Sequence, residues 1–398
     1  MTEPPPQSRL LDRLRALVLA DERLQAALAP IEEPAQLAGR VLALAAANGI
    51  ALEAGDVTPL VGPDPVGMFR LSDPVPMQAS WPSPAWRPVA LFALPGGGAA
   101  VDWAHFAGAS LSEPFFGLSA VRAERLPFNR LFRYRTRLED FVAGGSGESW
   151  APPAGFIFHM SRSGSTLVAQ MLAALPGSLV ISEAPPLDAM VRVACGATSS
   201  LDPADALRAM VGALGRRGAG SDPAFVKLHF WHALALPLFR RAFPTVPWLF
   251  LHRDPVEVVV SQMRSRGAEM MTGMVPMLGI GPDAPAEEQI AAALEGVCAA
   301  ALDAAASGGG LFVDHADLPG AVFSHVLAHF GVDPGAEGRA AMAAAAVRDA
   351  KAPIRPFAPD ARIKQREASA QVRRAADLHL AAVDQRLKAL GGEAMATR

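Results

Sequence analysis

The chain predicts an α/β fold, a central parallel sheet flanked by helices, preceded by a mostly helical extension. Three observations point there. From residue 154 onward, short apolar runs alternate with helical patterns, the order that builds a parallel sheet from strand–helix–strand units. Over the first 60 residues, apolar positions recur at helical spacing instead. Between the two, Gly144-Gly-Ser-Gly-Glu148 and Pro152-Pro153 mark a boundary. The organisation expected is a helical adaptor over 1–60, an irregular α+β extension over 61–150, and the α/β domain over 151–398.

Leu10, Leu11, Leu14, Leu17 and Val18, then Leu24 and Leu28, supply the first helical pattern. Pro30 and Pro34 interrupt it, and a second helix over 35–48 stops at Asn48-Gly49. Residues 62–88 are rich in Pro and Ser and read as irregular. A short apolar strand at 89–94 and a turn at Pro95-Gly-Gly-Gly98 follow. From Asp102 to Phe141, aromatic residues mix with Arg122, Arg125, Arg130, Arg133 and Arg135. Those arginines read as an acceptor-binding surface or, more simply, as a solvated helix face. The α/β part places strands at 156–158, 179–181, 224–229, 248–252 and 311–313. Helices are expected at 164–175, 206–216, 233–243, 256–265 and 318–330. Beyond Lys351 the chain is polar and basic and reads as a solvated charged tail.

About half of the residues are apolar, 51%, ample for a buried core. The formal net charge of −3 gives no bulk attraction to nucleic acid or to an anionic membrane, so any anionic ligand must be held by local groups. Cys195 and Cys298 lie far apart and show neither metal-ligand spacing nor a disulfide framework. The N-terminus lacks the basic and apolar regions of a signal peptide, and no apolar run reaches the roughly 20 residues a membrane span needs. A protein of the cytoplasm is expected, with no required metal.

One segment carries the chemistry. The strand Phe156-Ile-Phe158 leads into His159-Met-Ser-Arg-Ser-Gly-Ser-Thr166, and Leu167, Val168, Met171, Leu172 and Leu175 then supply one apolar helix face. Ser163, Gly164 and Ser165 let the backbone wrap closely round an anion, while free N–H groups at the helix start point at it. Serine and threonine hydroxyls add donors, and Arg162 adds a charged planar fork. A triphosphate-binding Walker loop needs G-x-x-x-x-G-K-[ST]. Here Ser165 stands where the lysine belongs, and His159 stands where the first glycine belongs. The loop suits a smaller anionic head.

Ser161-Arg-Ser-Gly-Ser-Thr-Leu167 resembles the 5′-phosphosulfate loop of sulfotransferases that use 3′-phosphoadenosine 5′-phosphosulfate (PAPS). The arginine form is that of tyrosylprotein-type and bacterial members. Trp248-Leu-Phe-Leu-His-Arg-Asp-Pro-Val-Glu-Val-Val-Val-Ser-Gln262 resembles the family's 3′-phosphate segment, with Arg253 at a strand end and Ser261 about two helical turns on. Pro255 suits the first turn of that helix. The resemblance covers about 151–335 and implies a P-loop-like sulfotransferase fold. It further implies PAPS as co-substrate bound by Ser161, Arg162, Ser163, Gly164, Ser165, Thr166, Leu167, Arg253 and Ser261. A basic C-terminal segment closes over the nucleotide in this family, which offers Lys351 or Arg355. A weaker resemblance links the first sixty residues, through Leu-Ala-Asp-x-x-Leu-Gln at 19–25 and Val41 to Ile50, to leader-like domains of ribosomal natural-product precursors.

Sulfuryl transfer to an alcohol or phenol needs in-line positioning, stabilisation of spread negative charge and a base for the acceptor hydroxyl. Arg162 can meet that charge. Glu183, 21 residues beyond Arg162, stands where tyrosylprotein-type members carry their carboxylate base. Its mostly apolar surroundings would raise its pKa towards neutrality. His229 is the second candidate: Lys227-Leu-His229 resembles the Lys-Thr-His of cytosolic members, whose histidine is the base and whose lysine assists the leaving group. The Arg162 form of the loop favours Glu183. His159 either lines the loop or is structural, and His232 and His252 read as structural. The methionines at 263, 270, 271, 274 and 277 read as core filler or a lid. The expected acceptor is a hydroxyl-bearing small molecule or peptide, with no nucleic-acid partner and no stable membrane insertion. The competing readings are a P-loop kinase or nucleotide hydrolase, and a non-catalytic nucleotide- or peptide-binding module.

Overall fold

The computed structural model describes residues 6–64, 75–109, 111, 113–147, 150–196, 201–216, 223–271, 273–281, 283–351, 354 and 359–396. Arg355, one of the two expected closing cations, lies outside them. The chain divides into two compact units. The first is Met1–Trp150 with Pro185–Met190 and Ala209–Gly220; the second is Ala151–Ala184, Val191–Arg208 and Ser221–Arg398.

The first unit opens with the helices Pro6–Leu19, Glu22–Leu28, Pro34–Ala47 and Ala54–Val61. Asp21 caps the second by accepting from the Arg23 N–H at 2.8 Å. Asn48 and Gly49, with φ +67°, end the third where the sequence predicts. A four-stranded sheet follows in the order β1-β4-β3-β2, from Met77–Gln78 (β1), Trp86–Ala93 (β2), Ala99–His105 (β3) and Tyr134–Arg137 (β4). Trp86, Phe128, Phe132 and Phe141 are fully buried around it. Of the arginines expected on a solvated helix face, Arg122 and Arg125 are exposed in the last turn of the helix Phe116–Arg125, while Arg130 and Arg135 are placed otherwise. Arg135 lies on β4 and pairs with Asp102 of β3 at 2.5 Å, its guanidinium over Phe92. Arg130 is buried at the end of a five-residue helix. Arg122, strongly exposed, pairs with Glu113 at 3.5 Å.

The second unit is an α/β domain on a five-stranded, all-parallel sheet, Gly155–His159 (β5), Leu179–Ser182 (β6), Ala224–Lys227 (β7), Trp248–His252 (β8) and Gly310–Asp314 (β9). The spatial order is β6-β7-β5-β8-β9. Both faces are covered, so the strands are apolar along nearly their whole length. Val168, Met171, Leu172, Val326 and Leu327 pack against Ile157, Leu249 and Leu311 on one face. The chain leaves β5 towards β6 on one side and leaves β8 towards β9 on the other. The strand ends of β5 and β8 therefore flank a topological switch point, where open α/β sheets leave a ligand crevice.

The helix expected at 318–330 is present over residues 320–329, with π geometry at Val322–Val326 ahead of its last turn, Leu327–His329. One expectation fails here. The basic C-terminal stretch is not a solvated tail. It forms the helices Ala361–Glu367 and Ala370–Ala396, and the latter packs on β9 and on the helices Pro255–Arg264 and Ala286–Ala305. Its buried positions Val372, Ala376, Leu380, Val383 and Leu387 are spaced three and four apart, an amphipathic stripe beneath the charges. Among the described residues, no helix is long and apolar enough to cross a membrane.

Candidate active site

The loop after β5 is shaped by its backbone. Ser161, Arg162 and Gly164 have φ of 74°, 52° and 87°, so the chain coils tightly before the helix Ser165–Ala173 begins. Residues in this conformation turn successive N–H groups into one concavity, a nest that binds anions. The helix start adds free N–H donors and the positive end of its dipole. Gly164 is required twice over: its φ suits glycine, and a Cβ there would sit 2.7 Å from Leu318 Cδ1 and 3.0 Å from His315 Cδ2. Among the described residues four non-glycine residues have positive φ, and three of them, Ser161, Arg162 and Glu183, surround this site. Each such residue costs about 1–3 kcal/mol, so the surrounding contacts must hold them.

Those contacts are present. His159 Nδ1 accepts from the Ser161 N–H at 3.0 Å, which puts the ring proton on Nε2, 2.9 Å from the Leu228 carbonyl oxygen. Ser163 Oγ donates to the Leu251 carbonyl at 2.9 Å. Gln262 Nε2 donates to Ser161 Oγ at 2.8 Å, while Gln262 Oε1 accepts from the Gly267 N–H. Arg162 reaches the Ser265 carbonyl at 2.7 Å. Ser165 and Thr166 are buried at the helix start, and Leu167 packs against the apolar core.

At the end of β8, Arg253 is buried beside the same loop. Its N–H meets Met160 Sδ at 3.2 Å, and Nη1 lies 3.4 Å from the Arg162 carbonyl oxygen. Asp254 caps the following helix by accepting from the Glu257 N–H, and Pro255 fills the first turn. The Arg253 guanidinium is not bare: Nε lies 2.7 Å from Glu257 Oε2, and Nη2 lies 2.9 Å from Asp360 Oδ1. Lys364 binds the other oxygen of Asp360 at 2.8 Å. Burial opposes ionisation of Asp360, but Lys364 and Arg253 outweigh it and hold the carboxyl below its ordinary pKa. Ser261 is half-buried on this helix. Its neighbour Gln262 is the residue that touches the loop.

The ends of β6 and β7 bring a third group. Lys227, only 1% exposed, places Nζ 2.5 Å from Glu183 Oε1. Glu183 Oε1 is also 3.5 Å from His159 Nε2. His229 Nδ1 lies 3.9 Å from Glu183 Oε2 and 3.3 Å from Glu269 Oε1. These contacts reverse the expectation of an apolar Glu183 with a raised pKa. Burial does push upward, but the Lys227 ammonium, the His159 hydrogen bond and His229 together hold the carboxyl well below the ordinary range. His159 is pushed the other way: burial lowers its pKa against the pull of Glu183 and keeps it neutral. Partial burial, then the like charges of Arg162 and Lys227, lower the pKa of Lys351.

The structure thus gathers Ser161, Arg162, Ser163, Gly164, Ser165, Thr166, Glu183, Lys227, His229 and Arg253 at the carboxyl end of one parallel sheet. Five polar residues escaped sequence reasoning: Glu257, Gln262, Glu269, Asp360 and Lys364. Only Glu257 had a local signal, a carboxylate four residues from Arg253 on one helix. Among the described residues, no group of three or more histidine, cysteine or carboxylate side chains is placed to hold a metal. The arrangement presents an anion nest, several cations and two strand-end groups able to take a proton.

No family model matches the chain, and no curated protein sequence matches it. Among solved structures, the sulfotransferase STF1 from Mycobacterium tuberculosis H37Rv aligns with a TM-score of 0.34 and 17% identity, over 57% of this chain and 80% of that one. The sulfotransferase STF9 from Mycobacterium avium aligns with a TM-score of 0.33 and 11% identity, over 52% of this chain and 71% of that one. Values this low assign neither family nor substrate.

Proposed function

We propose that the chain is a sulfotransferase that moves a sulfuryl group from PAPS to a hydroxyl acceptor by in-line displacement. The observation that carries this reading is the strained loop Ser161, Arg162 and Gly164, an anion nest at a helix start that lacks the lysine of a triphosphate loop. Its N–H groups, with Ser165, Thr166 and the Arg162 guanidinium, hold the 5′-phosphosulfate. Arg253, across the switch point, takes the 3′-phosphate, with Ser261 on the following helix. Lys227 and Arg162 face the charge that builds on the sulfuryl and leaving oxygens. Glu183 or His229 takes the acceptor proton. No step calls for a metal.

The acceptor is a small hydroxyl compound or a peptide side chain, and the place of action is the cytoplasm, in keeping with two free cysteines. Residues 1–60 and 61–150 serve as adaptor and extension ahead of the transferase domain at 151–398. Calorimetry with adenosine 3′,5′-bisphosphate tests the reading: binding is expected with and without magnesium. Absence of that binding, with magnesium-dependent binding of ATP in its place, would make the chain a P-loop kinase or hydrolase instead.

A further inference from the structure

His229 is faced by carboxylates from two elements. Glu183 follows β6, Lys227 ends β7 two residues before the histidine, and Glu269 sits on the 3-10 turn Ala268–Met270. The His232 ring lies 5.5 Å away, edge-on, and Lys351 acts on Lys227 and Glu183 from the C-terminal side. Both carboxylates lie on the Nδ1 side of the ring, Glu269 Oε1 at 3.3 Å and Glu183 Oε2 at 3.9 Å. They do not act alike. Glu183 carries a much shorter contact, 2.5 Å, to Lys227, and that ammonium neutralises it. The Glu269 carboxyl is held below its ordinary pKa chiefly by its bond to His229, against burial and against the charge of Glu183. A carboxylate on Nδ1 fixes the proton there, leaves the lone pair on Nε2, and stabilises the imidazolium that forms when Nε2 takes a proton.

We propose that Glu269 is a positioning residue for the transfer reaction: its carboxylate holds the Nδ1 proton of His229, making His229 Nε2 the base for the acceptor hydroxyl, while Glu183 serves as the counter-ion of Lys227. This rests on the sulfotransferase reading and selects between its two candidate bases. In the step, the acceptor O–H proton moves to Nε2 as the acceptor oxygen bonds to sulfur. The bond from sulfur to the bridging oxygen breaks, and adenosine 3′,5′-bisphosphate leaves with that electron pair on its 5′-phosphate. The imidazolium then gives its proton to solvent, and Glu269 ends the cycle ionised as it began. The assignment also gives the methionine-rich segment a task. Met270 is buried while Met271, Met274 and Met277 are exposed, so the turn is anchored at the residue beside Glu269 and carries that carboxylate to the ring.

The test joins a titration and a kinetic measurement on the full chain. NMR of histidine-labelled protein, with the His229 signal assigned from the His229→Gln variant, gives the ring's pKa in wild type, Glu269→Gln and Glu269→Asp. The expected result is a fall of about one unit in Glu269→Gln and partial recovery in Glu269→Asp. With PAPS and a phenolic acceptor, kcat in Glu269→Gln should drop by about 100-fold or more, towards the roughly 10⁴-fold loss when the carboxylate that fixes a base histidine's tautomer becomes an amide. KM for PAPS should hold, and the acidic limb of the pH–rate profile should move to lower pH. An unchanged His229 titration, or a loss confined to KM, overturns the proposal. So does full activity in His229→Gln with loss in Glu183→Gln. If wild type fails to bind adenosine 3′,5′-bisphosphate, the sulfotransferase reading has failed first, and the base role of the pair falls with it.

Discussion

A carboxylate and an ammonium 2.5 Å apart on neighbouring strand ends, Glu183 and Lys227, dominate the electrostatics of the candidate site. Lys227 is almost wholly buried and Glu183 is 19% exposed, so solvent does little to screen the pair. Removing one partner leaves the other charge desolvated and uncompensated, a loss of about 3–5 kcal/mol. Glu183→Gln should therefore lower the unfolding free energy of the domain at neutral pH by about 3 kcal/mol. The sign with pH follows from the depressed carboxyl pKa. The stabilisation is fully present above the ordinary carboxylate value and fades as pH falls through the native one, because the unfolded chain then binds the proton more readily. Urea unfolding from neutral pH into the acid range should show a steeper acid loss in wild type than in Glu183→Gln. Equal slopes would mean that Lys227 is paired elsewhere. None of this was legible locally. Glu183 and Lys227 are 44 residues apart, and their meeting depends on β6 lying beside β7. With that adjacency unseen, the proline-flanked Glu183 looked apolar.

At the scale of elements, strands were easier to read than helices. A strand buried on both faces is a short unbroken apolar run, and Phe156-Ile-Phe158, Leu179-Val-Ile181 and Trp248-Leu-Phe-Leu251 are of that kind. The C-terminal helices were hidden by their charges, although Val372, Leu380 and Leu387 carried the stripe. That error concealed Asp360, whose carboxylate lies on Arg253 Nη2 at 2.9 Å. Gln365, one turn into the next helix, donates to Asp254 at 2.9 Å, and Glu367 pairs with Arg264. The segment is thus tied along the helix that begins beside Arg253. A phosphate arriving at Arg253 must compete with Asp360, whose side chain is 44% exposed. A half-exposed pair is worth up to about 1 kcal/mol. Asp360→Asn should accordingly raise the affinity for adenosine 3′,5′-bisphosphate by about two- to fivefold, measured by calorimetry at fixed salt. Lower affinity in the variant would place the phosphate on a different cation.

For the α/β domain as a whole, the strand order β6-β7-β5-β8-β9 explains why one site draws on so many strands. The alternation of strand and helix was readable along the chain, whereas the order of the strands was not, since it records which apolar faces meet in space. That order places the loop after β5 between Arg253 at the end of β8 and Lys227 at the end of β7, with Glu183 beyond them after β6. A nucleotide seated there as proposed would touch groups from three of the five strands, β5, β7 and β8, so it would bind the assembled sheet and not its separated pieces. Binding of that kind stabilises the native state by RT ln(1 + [L]/Kd), about 2.7 kcal/mol at a hundredfold excess over Kd. Amides that exchange only when the sheet opens should then slow by about a hundredfold. Hydrogen exchange with and without adenosine 3′,5′-bisphosphate reads this strand by strand. The β5 amides, which bond to both β7 and β8, should show the full effect, and Arg253→Met should reduce it in proportion to its loss of affinity. Slowing restricted to 160–166, with β5 unchanged, would show that the ligand holds only the loop and leaves the opening of the sheet untouched.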